Sequence, residues 1–245
     1  MKKTAKIALT VAIILISFSM VFSSCKKESN EGMINEYNDQ DLVTMTKDLT
    51  DCACVLNPTD TITQEEIDML IFMRGEEKLA RDVYFAMDVL YAPPVFHNIA
   101  KSEQYHMDMV LCLLQYYNIP DPASADTGVF NNSELQELYN NLIELGSASF
   151  AGALTVGATI EDKDIYDLEQ DMTLTENPAI LNIFSRLSCA SGNHIRSFSA
   201  HLDLQGIVYN AQFISQEEYE SIISLPHQFC GTAGVSQTAS SPSVE

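Results

Sequence analysis

An all-α fold, with four long helices in a bundle and one long crossover between the second and third, is what this sequence predicts. Three observations carry that expectation. Between residues 62 and 230 no stretch alternates apolar and polar side chains between turn signals, so strands are not expected. Apolar residues instead recur every three to four positions over long segments, the period of a helix with one buried face. Start and stop residues divide the region into six segments in the order long, long, short, long, long, short.

Thr63-x-x-Glu66 is a capping box that opens the first helix, expected to run to about Tyr91. Pro93-Pro94 stops it and starts the second, expected from Val95 to about Asn118 and ended by Ile119-Pro120-Asp121-Pro122. A shorter helix is expected near Ser133 to Leu145, with Ser133-x-x-Gln136 as its cap. Gly146-Ser147 then breaks the chain, and a third long helix follows from Ser147 to about Asp171. Asn177-Pro178 supplies an N-cap and a proline at the first helical position of the fourth, which reaches roughly Leu204. Ser215-x-x-Glu218 caps a last short helix.

The ends read differently. Lys2, Lys3 and Lys6 precede an apolar run, Ile7 to Val21, and Phe22-Ser23-Ser24-Cys25 follows. Residues 1–24 therefore read as a bacterial lipoprotein signal peptide, leaving Cys25 as a lipidated N-terminus. Phe22 departs from the aliphatic residue usual at that place, and an uncleaved membrane anchor is the alternative. Either way the body is expected in the cell envelope, outside the cytoplasm and held at a membrane. Residues 25–61 are polar and aperiodic and read as a flexible tether, 62–230 as the helical domain, and 231–245 as a disordered tail.

With 13 basic and 34 acidic residues the formal charge is −21, and loss of the signal's three lysines makes it more negative. Such a surface repels nucleic acid and anionic headgroups, so nucleic acid is excluded as a partner and membrane contact falls to the lipid. It also attracts cations. Cys52, Cys54, Cys112, Cys189 and Cys230 remain after Cys25, an odd count in an oxidising compartment. Cys52-x-Cys54 is too tight for a zinc ribbon, and Cys112 and Cys189, on helices, are expected as small buried hydrophobes.

Four helices each carry an acid or imidazole inside an otherwise apolar stripe, and such groups are costly to bury unless paired, hydrogen-bonded or metal-bound. On the second helix Phe96, Ile99, Glu103, His106, Val110, Leu113 and Tyr117 share a face. Glu103 and His106, at i and i+3, have the spacing by which one helix offers two ligands to a metal pair. A histidine packed on its own-helix glutamate is the alternative. The first helix offers Glu77 between Met73 and Ala80, with Tyr84 two turns on, while Glu76 lies on the shoulder as an exposed or supporting carboxylate. The third offers Glu161 and, at i+3, Asp164, which a solvated face would also explain. The fourth offers His194; His201, about 10 Å further along the axis, is too far to join it.

Four blocks of the chain resemble the domain of unknown function 2202 group of the ferritin-like superfamily. They are Glu76-Glu77-Lys78-Leu79-Ala80-Arg81-Asp82-Val83-Tyr84, Ile99-Ala100-Lys101-Ser102-Glu103-Gln104-Tyr105-His106-Met107, Val156-Gly157-Ala158-Thr159-Ile160-Glu161-Asp162-Lys163-Asp164-Ile165 and Asn193-His194-Ile195-Arg196-Ser197-Phe198. The resemblance covers about residues 62–225. It implies a ferritin-like four-helix bundle and no settled activity. In the wider di-iron relatives the fourth helix also carries Glu-x-x-His, and here the place three before His194 is Ser191. The inference is that Asp164 supplies the missing carboxylate from the neighbouring helix, giving Glu77, Glu103, His106, Glu161, Asp164 and His194 as the ligand set.

Oxygen and imidazole donors without thiolate favour iron or manganese, with zinc possible; the resemblance to di-iron relatives implies two iron ions. The function expected is a lipid-anchored, di-iron-type oxidoreductase acting on Fe(II), oxygen or peroxide, with Tyr84 as a nearby proton or electron donor. Partners expected are the membrane, through the N-terminal lipid, an external electron donor and, in a homodimer, a second copy of the chain. The competing reading is a non-catalytic envelope lipoprotein that binds a partner or sequesters metal.

Overall fold

The computed structural model describes residues 61–231. The expected signal peptide, Cys25, nearly all of the expected tether with Cys52 and Cys54, and residues 232–245 of the expected tail lie outside the described residues. Six helices and no strand occur among those described: α1 (Gln64–Tyr91), α2 (Pro94–Tyr116), α3 (Ser133–Ser147), α4 (Phe150–Thr173), α5 (Pro178–Leu204) and α6 (Gln216–Ser224). No helix among the described residues is long and apolar enough to cross a membrane.

Local chemistry explains most boundaries. The Thr63 side chain accepts from the Glu66 backbone N–H, and the Glu66 carboxylate accepts in return from Thr63, so the capping box forms in full. Asn177 caps α5 with Pro178 following it, and Ser215 caps α6. Two expectations needed correction. Asn132, not Ser133, caps α3, accepting from Glu134 and Leu135, and Gln136 instead bridges the preceding loop by accepting from Phe130 N–H and donating to Gly128 O. Nor does Gly146-Ser147 break the chain: α3 runs through both, and α4 starts later, at Phe150, behind the cap Ser149. Gly146 is there for close approach, since a Cβ would lie 2.7 Å from Met87 Sδ.

The four long helices pair in opposed directions. Glu77 meets His106 while Tyr84 meets Phe96 across α1 and α2, and Glu161 meets His194 while Asp164 meets Ser191 across α4 and α5. Glu76–Lys163 with Tyr84–Glu161, and Phe96–Phe198 with Glu103–His194, give the same sense across α1–α4 and α2–α5. Hence α2 and α4 run the same way, and the chain between them must travel back along the helices. The stretch containing α3, which packs on α1 and α4, makes that return.

The apolar interior is divided. One cluster, around Tyr84, Phe96, Leu154 and Phe198, fills one end; another, around Leu70, Met73, Leu113, Phe184 and Leu187, fills the other. Between them lies a polar layer. Buried aspartates hold the connections to this frame. Asp82, fully buried, accepts from Lys78, Arg81 and Gly128 N–H, and Asp162, equally buried, accepts from Tyr209 and the N–H groups of Gln212, Phe213 and Ile214. The C-terminal stretch is fixed to α5 by Asn193, which pairs with the Gln228 backbone, and by the Cys189–Cys230 disulfide. This corrects the reading of Cys189 as a buried hydrophobe; Cys112 is also disulfide-bonded, and both are only half-buried.

Gly157 lets α5 approach α4: a Cβ there would meet the Phe198 ring at 2.5 Å. That ring is itself packed on Tyr84 and Phe96, at 5.3 and 5.6 Å, and has nowhere to go. Gly157→Ala should therefore destabilise the protein by about 1–3 kcal/mol in chemical denaturation, despite alanine's helix preference of about 1 kcal/mol. A more stable variant would show that the contact yields.

Candidate metal centre

The polar layer is built from the four stripes. One turn of each long helix turns an acid or imidazole inward at the same height, where apolar residues precede and follow it. Glu77, Glu103, His106, Glu161 and His194 are all at most 2% exposed.

Glu103 lies at the middle. Its Oε2 is 2.7 Å from His106 Nδ1 and its Oε1 is 2.9 Å from His194 Nδ1, so one carboxylate spans two imidazoles. A second carboxylate completes each side: Glu77 Oε2 is 3.2 Å from His106 Nδ1, and Glu161 Oε2 is 3.2 Å from His194 Nδ1. The imidazole rings stack with centroids 5.4 Å apart. Two ligand triplets result, Glu77–Glu103–His106 and Glu103–Glu161–His194, each with donor atoms within 4.8 Å of one another. They share Glu103.

Electrostatics follow from burial and this alternation. Burial alone would raise Glu103, but the flanking His106 and His194 outweigh it and hold its carboxyl well below the usual range. Burial works to lower both imidazoles, yet the carboxylates on either side win: His194 is pushed up to about 10 and His106 well above its ordinary value. The outer acids go the other way. Burial lifts Glu77 to about 8, with His106 only partly offsetting it, and raises Glu161 together with the charge of Glu103. The layer thus alternates acid and imidazole, with Glu103 between two Nδ1 atoms, each of which stands where carboxylate oxygens converge. Glu77 Oε1 is buried with no hydrogen-bond partner, an unusual cost that a cation on this donor set would offset; His106 Nε2 is buried and unpartnered as well.

The other singled-out residues fall around this layer. Tyr84 donates to Glu161 Oε1 at 2.5 Å. Asp164 faces inward but stands outside both triplets: its Oδ2 accepts from Ser191 Oγ at 2.5 Å, and burial with the charges of Glu77 and Glu161 holds it well above the usual aspartate range. The two positions of the proposed exchange are therefore in contact with each other. Glu76 is not exposed; it is 8% accessible and pairs with Lys163. His97 is a surface residue beside Asp88, and His201 is 2.8 Å from Ser197 O, away from the layer.

Sequence reasoning missed Ser102. It is fully buried, with Oγ 3.0 Å from His194 Nε2, which leaves Nδ1 to face Glu103 and Glu161. Its position four residues before His106 and three after Ile99 marked it as inward-facing.

Residues 66–226 match the family described as Uncharacterized protein domain (DUF2202). The chain is 50% identical over 168 residues to Uncharacterized protein MJ0754 of Methanocaldococcus jannaschii, covering 68% of this chain and 91% of that one. The crystal structure of hypothetical protein MJ0754 superposes with a TM-score of 0.70 at 48% identity, over 71% of this chain and 99% of that one. With the family match spanning well over half its length, this chain belongs to the DUF2202 family.

Proposed function

We propose that this is a ferritin-like, lipid-anchored metalloprotein of the cell envelope whose buried layer holds two divalent cations and acts as a di-iron-type oxidoreductase on Fe(II), oxygen or peroxide. The observation that carries this reading is Glu103, one carboxylate with an imidazole Nδ1 on each oxygen and a further carboxylate completing each side. The helix directions support the ferritin-like arrangement, since four-helix bundles with one long crossover have parallel second and third helices. Apolar clusters pack above and below the layer.

The donor set, oxygen and imidazole without thiolate, suits iron, with manganese or zinc as alternatives. Iron would supply one-electron chemistry toward oxygen or peroxide. The chain's own groups would do the rest. Glu77 and His106 would hold one ion, Glu161 and His194 the other, with Glu103 between. Ser102 would set the His194 ring. Tyr84 holds a proton directly against Glu161, where a proton or electron can be passed, and burial keeps that hydroxyl protonated. Asp164 would be the sixth donor, steered by Ser191. An external electron donor is required, and a homodimer is compatible with the reading. Serine at 191, where a carboxylate is expected, favours a second reading in which the centre sequesters metal without turnover.

Metal analysis of the purified mature protein should find about two ions per chain. Glu103→Ala should abolish binding, and Asp164→Ala should lower metal content comparably, with Ser191→Glu restoring it. Unchanged stoichiometry in Asp164→Ala would leave a five-residue site, and no metal in the wild type would overturn the reading. Oxygen or peroxide consumption by the iron-loaded protein separates oxidoreductase from sequestration.

Binding must displace the protons now held by His194, His106 and Glu77. Since the folded pKa values of His194 and Glu77 lie near 10 and 8, Co(II) affinity should rise from neutral pH upward. Calorimetry in buffers of different ionisation enthalpy should show protons released; a pH-independent affinity would contradict this.

Cys25→Ser should move the protein from the membrane to the soluble fraction, because the lipid is the attachment. A serine variant that still pellets would indicate an uncleaved anchor.

A further inference from the structure

Beside the polar layer is a cavity of about 50 Å³ that reaches Glu77, Glu103, Glu161 and Asp164 from the α1–α4 side. Glu76 and Lys163 line it further out. The Lys163 ammonium is 2.6 Å from Glu76 Oε1, also pairs with Asp167, and lies 5.7 Å over the Phe72 ring. The Lys163 side chain is 26% exposed, whereas that of Glu76 is 9% exposed. Glu76 Oε2 is buried and has no partner, as is Glu77 Oε1 one residue along on the same cavity. The remaining lining is apolar, including Leu79, Leu142, Ile160 and Phe213, apart from Thr159, whose hydroxyl is already engaged, donating to Thr155 O and accepting from Gln212.

We propose that Glu76 and Lys163 form an exchange port through which a divalent cation reaches the buried layer, with Glu76 as a transit ligand outside the two triplets. The inference rests on the metal-binding reading of that layer. Lys163 is itself a cation held by carboxylates at the outer end of a cavity whose inner end is acidic. Its ammonium is a compact charge on a flexible stem that reaches water, so it can swing away without unfolding anything. Glu76 presents one oxygen to Lys163 and leaves the other unpaired. As the ammonium swings out, an incoming cation can take its place on Glu76, whose second oxygen has no other partner to release. The ion then has Asp164 and Glu77 Oε1 ahead of it, while the apolar walls confine it to that acidic line. Outside, Asp167 and Asp171, one and two turns along α4 from Lys163, raise the local concentration of cations.

The test is the rate of Co(II) uptake by the chelator-stripped, full mature protein in stopped flow, with the final stoichiometry measured in parallel. Glu76→Gln keeps an acceptor for Lys163 and the size of the side chain; it should load at least about tenfold more slowly and still reach the wild-type number of ions. Lys163→Met keeps the apolar stem and removes the competing charge; it should load faster than wild type. Circular dichroism and thermal unfolding of each stripped variant confirm that the fold is kept. If both variants load at the wild-type rate while the wild type binds two ions, the port is wrong and the metal centre stands. If Glu76→Gln saturates at fewer ions, Glu76 is a resident ligand and the transit role is overturned. If the wild type takes up no Co(II), the metal reading falls and the port with it.

Discussion

The structure turns on one buried carboxylate. Glu103 sits at the centre of four helices with an imidazole on each oxygen, and every other charge in the layer is arranged around that alternation. Removed from water, an isolated carboxylate would be untenable; the two imidazoles beside it hold its pKa low, and it raises theirs in turn. Glu77 and Glu161 then close the two ends. The layer is a chain of alternating acids and imidazoles rather than a set of independent pairs, so removing one member leaves its neighbours without a buried partner.

Such a layer does not by itself favour folding, and the rest of the molecule reflects that. Apolar clusters lie on both sides of it, and their aromatic packing at Tyr84, Phe96 and Phe198 leaves no room for adjustment at Gly157. The connections are fastened with buried aspartates: Asp82 holds the loop before α3, and Asp162 gathers the backbone between α5 and α6. Asp162 is adjacent in sequence to Glu161, yet the two face opposite duties, one closing a loop and the other completing the layer. The same alternation of roles occurs at Glu76 and Glu77, where the first reaches toward Lys163 and the second toward His106.

Ser191 and Asp164 join α4 and α5 beside the layer. A glutamate at 191 would reach into the layer; serine is too short, and instead donates to an aspartate that the neighbouring helix brings to the same height. The acid at this height thus comes from α4, and its partner is a hydroxyl rather than an imidazole. This is the feature that most distinguishes the centre from a symmetric arrangement of two equivalent halves.

What the sequence determined alone was the helical content, the division into six segments, and the inward face of each long helix. These are local properties: apolar recurrence, the Thr63 and Asn177 caps and the Pro93-Pro94 break act over a few residues. The inward placement of Glu103, His106, Glu77, Glu161 and His194 was legible for the same reason, because a helix carries every residue of its stripe to one side. Tertiary structure decided the rest. Which oxygen meets which imidazole, the Ser102 contact on His194 and the Glu76–Lys163 pair depend on the height at which separate helices dock. That height is set by packing between residues far apart in the chain, such as Gly157 against Phe198. The cysteines make the same point from the other side. Cys189 looked like a small residue on a helix face, and only the return of the chain after α6 brings Cys230 within bonding distance of it.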